Sequence, residues 1–143
     1  MATTALQYRF DGPRHAPVVL LVPPFGTRMS VWEPQMPELT RHRRVLRVEH
    51  RGHGSSSAPE GPYTIEDLAL DVLGLLESQG LTRVSAVGAG LCGSLLVWIA
   101  ANSPRTLDRL VLLAAGPARP APTGGTRSPR GCVSPVWTRW PPR

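Results

Sequence analysis

An α/β fold, a mostly parallel sheet with flanking helices, is what the hydrophobic pattern of this chain predicts. Three observations carry that reading. Short, largely apolar runs at Val18–Val22, Val84–Val87 and Leu110–Leu113 have the continuous character of strands covered on both faces. Between the first two runs lies a segment whose apolar residues recur at helical spacing. Strands that alternate with helices build βαβ units, whose strands are parallel and whose crossovers are right-handed.

The elements follow in order. Residues 6–11 read as a short opening strand. Pro23-Pro24-Phe25-Gly26 ends the run at Val18–Val22, because proline carries no N–H for a ladder. Ser30 is placed to cap a short helix holding Val31, Trp32, Met36 and Leu39, interrupted by Pro34 and Pro37. Val45–Val48 is the next strand, and a loop rich in Gly, Ser and Pro runs from His50 to Tyr63. Thr64 with Asp67 forms a variant of the capping box, in which each residue satisfies the other's backbone N–H. Behind it, Ile65, Leu68, Ala69, Val72, Leu73 and Leu76 make one apolar stripe, and Gly80 is placed to stop the helix. After the strand Val84–Val87 comes an apolar helix from Cys92 to Asn102, stopped before Pro104. Leu110–Leu113 is the last predicted strand, and Asp108 reads as a solvated turn residue ahead of it.

Composition narrows the function. At 143 residues with 41% hydrophobic content the chain suffices for one domain with a core. No apolar run approaches the roughly 18 residues of a membrane span, and Met1–Ala5 lacks the basic-then-apolar order of a signal peptide. Two cysteines, Cys92 and Cys132, make neither a disulfide framework nor a metal site. The expectations are a cytoplasmic protein, no metal, no cofactor and no membrane partner; oligomeric state is not legible. The net charge of +6 is local: Arg119, Arg127, Arg130, Arg139 and Arg143 lie in a stretch without Asp or Glu, and residues 1–116 carry only +1. That stretch has no helical or groove-reading pattern, so no nucleic-acid partner is expected. The domain is assigned to residues 1–116. Residues 117–143, rich in Pro and Arg with no apolar period, read as a disordered tail.

Three motifs succeed one another along the domain. The first is Pro23-Pro24-Phe25-Gly26-Thr27, after an early strand. The second is Glu49-His50-Arg51-Gly52-His53-Gly54-Ser55-Ser56. The third is Val87-Gly88-Ala89-Gly90-Leu91-Cys92-Gly93, where a strand turns into a helix. In this order and spacing they resemble the α/β-hydrolase family. The first resembles its oxyanion loop, the second its Asp-x-Arg-Gly-x-Gly-x-Ser loop with Glu49 for Asp, the third its nucleophile elbow, Gly-x-Ser-x-Gly. The resemblance spans about Tyr8 to Ala115 and implies a partial α/β-hydrolase fold, truncated before the cap and the C-terminal strands. A narrower resemblance, to the 3-oxoadipate enol-lactonases, rests on four stretches. They are Gly26-Thr27, Trp32-Glu33-Pro34-Gln35, Arg51-Gly52-His53-Gly54 and Gly61-Pro62-Tyr63-Thr64-Ile65-Glu66-Asp67-Leu68. It implies a small lactone or ester as substrate, in the β-ketoadipate pathway of aromatic catabolism.

The resemblance also implies a Ser nucleophile, a later acid, a still later His, and two backbone donors for the oxyanion. Gly90 stands at the nucleophile position and supplies no oxygen. By position the donors are Phe25 and Leu91. His15, His42, His50 and His53 all precede the elbow and read as surface or loop histidines, His53 as structural in its loop. Cys92 would sit in the first helical turn, where a helix dipole can lower a thiol pKa. It lies two residues past the nucleophile position, so its sulfur is expected to point away from the oxyanion site and to be buried and inert. Ser94 has the same geometric problem.

Three functional readings follow: an enol-lactonase-like hydrolase by descent with little or no activity of its own, a catalytically dead binding protein for a small carboxylate or lactone, and a non-functional truncated gene product. Every basic residue but histidine is Arg, consistent with G/C-rich codons. Back-translated with such codons and shifted by one base after Thr126, the tail reads as a more acidic, less Pro-rich segment resembling a cap-domain helix. This predicts a frameshift, and sequencing the gene around the Thr126 codon tests it. An open continuation in another frame is the expected result, and its absence would contradict the idea.

Overall fold

The computed structural model describes residues 4–114. The expectations for residues 117–143, Cys132 included, lie outside the described residues. Five strands, β1 (Tyr8–Asp11), β2 (Val18–Val22), β3 (Arg44–Val48), β4 (Val84–Ala89) and β5 (Leu107–Leu113), form one sheet in the order β1-β3-β2-β4-β5. All neighbours are parallel except β1, which pairs antiparallel with β3. In the middle of the sheet Leu20 faces Leu46 across one ladder and Ala86 across the other. The parallel centre explains why β2 reads as an unbroken apolar run: both of its faces are covered.

Two helices follow the predicted pattern. α2 (Ile65–Ser78) opens with the capping box foreseen from sequence: Thr64 Oγ1 accepts the Asp67 N–H at 3.1 Å, and Asp67 Oδ2 accepts the Thr64 N–H at 2.7 Å. It closes at Gly80 (φ +66°), where the Gly80 N–H donates to the Glu77 carbonyl and the Leu81 N–H to the Leu76 carbonyl. α3 spans Cys92–Asn102 and buries Cys92, Leu95, Leu96 and Ile99, an i, i+3, i+4, i+7 stripe. That stripe meets Leu68, Ala69, Val72 and Leu76 of α2 over Leu20, Leu46 and Ala86 of the sheet. Leu20, Leu46, Leu95 and Leu96 are fully buried, worth roughly 1.5–3 kcal/mol each relative to exposure. A smaller core on the opposite face joins Trp32 and Met36 to Val19, Leu21 and Val45. No helix among the described residues is long and apolar enough to cross a membrane.

Three expectations are corrected. Ser30 is not a helix cap. The segment is a 3₁₀ helix, Met29–Gln35, running into a single turn α1 (Met36–Leu39), and its N-cap is Arg28 with no side-chain bond. Pro34 inside the first piece and Pro37 at the start of the second each withhold an N–H, which prevents one continuous α-helix. Asp108 is not in a turn but inside β5, paired with Arg83 at 2.6 Å. β5 is also not buried: Val111, Leu112 and Leu113 are 40–48% exposed, because β4 is its sole strand neighbour among the described residues.

The loop between β3 and α2 is tied to the helix by one ion pair, between the half-buried Arg51 and the buried Asp71. Arg51 Nε and Nη2 donate to Asp71 Oδ2 and Oδ1 at 2.6 and 2.8 Å, and the guanidinium also lies over the Tyr63 ring. Asp71 takes a third bond, from the Thr4 N–H at 3.2 Å. Arg51 belongs to a motif legible in the sequence, but the sequence did not single out its partner Asp71, an acid within the apolar face of α2. Asp71→Ala should leave the Arg51 charge half-buried and unpaired and cost about 3–5 kcal/mol in urea unfolding. Replacing both with apolar residues, Arg51→Met with Asp71→Leu, should recover most of that loss. A loss under about 1 kcal/mol for Asp71→Ala would contradict this role.

Candidate active site

β2 and β4 are parallel neighbours with Val22 opposite Gly88, so the loops leaving their C-terminal ends emerge side by side. The turn after β4 is a tight strand-to-helix elbow. Gly90 has φ +60°; its N–H donates to the Leu113 carbonyl at 2.9 Å, and its carbonyl accepts the Gly93 N–H at 3.0 Å. Two residues earlier, β4 passes so close to α3 that a Cβ on Gly88 would lie 2.7 Å from Leu96 Cδ1 and 3.2 Å from Gly93 Cα. Glycine at 88 is therefore favoured by packing, since a Cβ would displace the Leu96 side chain and crowd the Gly93 backbone, and at 90 by a backbone region that side chains enter only with strain. The surroundings of Gly90 are otherwise open: a Cβ there would meet only Pro24 Cβ, at 3.9 Å. The backbone of a nucleophile elbow is formed, with room for a side chain that is not there.

The Pro24 carbonyl closes the neighbouring loop by accepting the Thr27 N–H and hydroxyl at 3.1 and 2.7 Å. The Gly26 N–H donates to His53 Nε2 at 2.9 Å, and the Phe25 ring packs edge-on against His53 with centroids 4.6 Å apart. The Phe25 amide lies close enough to the Cys92 thiol to favour its thiolate. This corrects the expectation for Cys92: its sulfur does not turn away from the loop but lies beneath it. Cys92 is buried as expected, and burial pushes its thiol up to about 12 despite the Phe25 amide, which favours the thiolate. The position of Cys92 at the start of α3 does not produce a reactive thiolate.

The third piece is the loop after β3. Glu49 is buried, and its carboxylate accepts the N–H of Ser55 at 3.2 Å and of Met29 at 3.4 Å. It fills the space that a Cβ on Gly54 (φ +52°) would occupy. Ser56 Oγ joins two segments, donating to the Glu49 carbonyl and accepting the Gln7 N–H, both at 2.7 Å. His53 has the structural role expected of it: Nε2 accepts from Gly26 while Nδ1 donates to the Arg51 carbonyl at 3.1 Å. His50 is a loop histidine, as read, but a buried one. It is 1% exposed, Nε2–H donates to the Pro23 carbonyl at 3.1 Å, and burial lowers its pKa from 6.5 to about 4. Nothing in the sequence around His50 distinguished it from an exposed loop histidine. His15 and His42 are exposed, as expected.

Chemically, the site presents an elbow without a nucleophile and two imidazoles that each bond to the backbone of the framework. Of the two amides expected as donors, Phe25 N–H is turned to Cys92, and Leu91 N–H, at the start of α3, has no acceptor among the described residues. With this geometry in place, comparison with known proteins decides the family. The model for the alpha/beta hydrolase fold matches residues 17–132. The chain belongs to the α/β-hydrolase family. Within that family it is 30% identical over 108 residues to 3-oxoadipate enol-lactonase 2 of Acinetobacter baylyi, covering 76% of this chain and 40% of that one. It is 37% identical over 107 residues to RutD of Caulobacter segnis, a candidate carbamate hydrolase, covering 73% and 40%. The enol-lactonase structure from Burkholderia xenovorans superposes with a TM-score of 0.72 at 45% identity, over 75% of this chain and 42% of that one. The chain thus spans about two fifths of the length of the curated relatives it matches.

The His50 environment sets a pH dependence. Its folded pKa is depressed, so its contribution to stability is fully present above the unfolded value of 6.5 and is lost as pH falls through about 4. The full contribution is about 3 kcal/mol. The urea midpoint should therefore fall between pH 6.5 and pH 4, and His50→Asn should flatten that segment of the profile. An unchanged slope in the variant would show that His50 is not the group responsible.

Proposed function

We propose that this protein is a non-hydrolytic member of the α/β-hydrolase family, related by descent to the enol-lactonases that act on small lactones or esters. One observation carries the reading: Gly90, at the tip of a formed elbow, has no atom that can attack a carbonyl. Identity of 45% to an enol-lactonase structure and of 30% to a curated enol-lactonase supports the descent. The histidines around the elbow support the inactivity: His50 and His53 are engaged in the framework, and His15 and His42 are exposed. A reading as a binding protein for a small carboxylate or lactone draws on the Leu91 N–H. It has one backbone donor where two converge in a working oxyanion hole, and we place it second.

The purified chain should release p-nitrophenol from p-nitrophenyl acetate no faster than buffer with denatured protein. Cys92→Ala should change nothing, because the Cys92 thiol is buried and neutral. Gly90→Ser should gain less than about tenfold, since a serine without a positioned base is a weak nucleophile. A burst of product stoichiometric with protein, abolished by Cys92→Ala, would overturn the reading. Stabilisation by 3-oxoadipate without turnover would favour the second one.

A further inference from the structure

His53 joins two loops that share no backbone hydrogen bond with each other among the described residues. Its Nε2 lone pair receives the Gly26 N–H at 2.9 Å, and its Nδ1 lies 3.1 Å from the Arg51 carbonyl, which can only accept. One protonation state satisfies both contacts: the neutral ring with its proton on Nδ1. A second proton on Nε2 would set one N–H against another, and the bond to Gly26 would be lost. Gly26 is suited to move, with φ +83° and nothing within 4 Å of where a Cβ would stand. His53 is only partly buried, so water can supply the proton.

We propose that His53 is a proton-operated clasp on the Pro23–Thr27 loop: closed while the ring is neutral, and open, with Gly26 released, once Nε2 is protonated. The charged and titratable groups around it do not supply a substitute. The His50 ring lies 5.9 Å away by centroids and is bonded to the Pro23 carbonyl. The Arg51 guanidinium is turned to Asp71, the Glu49 carboxylate is occupied by Ser55 and Met29, and the Cys92 thiol lies under Phe25. The consequence falls on the loop that carries the Phe25 amide and roofs Cys92, whether or not the site hydrolyses anything.

The test is an NMR titration of the full chain from about pH 8 to about pH 5, the range in which imidazoles ordinarily change charge. At the upper end, ring-nitrogen shifts should report Nδ1–H and a bare Nε2 for His53. On acidification the Gly26 amide should shift with the same midpoint as the His53 ring. Its hydrogen exchange, corrected for the intrinsic pH dependence, should lose protection by at least about tenfold while Leu20 and Leu46 keep theirs. Replacing the exposed pair, His15→Gln with His42→Gln, should leave this response intact. His53→Gln, whose carbonyl accepts without titrating, should make Gly26 protection independent of pH. Should that variant fail to fold, the coincidence of midpoints in the unmodified chain decides. An Nε2–H tautomer at pH 8, a ring that stays neutral to pH 5, or Gly26 protection that ignores His53 titration would each overturn the proposal.

Discussion

The close crossing of β4 and α3 at Gly88 is the constraint on which the rest depends. A residue without a Cβ lets Leu96 and Gly93 approach the strand, and that approach seats the Leu95, Leu96 and Ile99 face of α3 against the sheet. It also determines how sharply the chain must reverse between Ala89 and Cys92. Gly90 absorbs that reversal in left-handed backbone, and the bond from its N–H to the Leu113 carbonyl fixes the turn to the end of β5. The elbow is thus a product of core packing before it is a feature of chemistry. This is why it persists here with no nucleophile on it.

Around the elbow the polar residues are committed to holding loops. Arg51 and Asp71 fasten the loop after β3 to α2, Glu49 and Ser56 organise its interior, and His53 ties it to the loop after β2. Each of these groups has its hydrogen-bonding capacity directed at backbone or at a fixed partner. A hydrolase needs, in addition, a nucleophile in contact with an imidazole whose lone pair is available. No such pair is found among the described residues. Cys92, the one thiol there, sits under Phe25 with its pKa raised by burial, so its chemistry is that of a small core residue.

Much of the fold was legible in the sequence because local and global preferences agree. The apolar run at 18–22, the Thr64–Asp67 box, the stop at Gly80 and the helix from Cys92 to Asn102 match the observed elements. The departures arise where neighbours decide. The exposure of β5 depends on which strands flank it, and Leu110–Leu113 looks the same in sequence at an edge or in a centre. The 3₁₀ segment follows from two prolines that sequence showed only as interruptions. In the site, the family motifs located Gly90, Phe25, Leu91 and Cys92. The burial of His50, the Asp71 partner and the contact of Cys92 with the Phe25 amide are long-range facts with no local signature.

The central claim is that packing favours glycine at 88 while position 90 is open and merely left-handed. Comparing Gly88→Ala with Gly90→Ala by urea unfolding tests it most directly. Gly88→Ala should cost about 2–3 kcal/mol, because a methyl there must displace core side chains and backbone. Gly90→Ala should cost about 1 kcal/mol, the strain of a Cβ in left-handed backbone with no clash. Equal losses, or a larger loss at 90, would contradict the account.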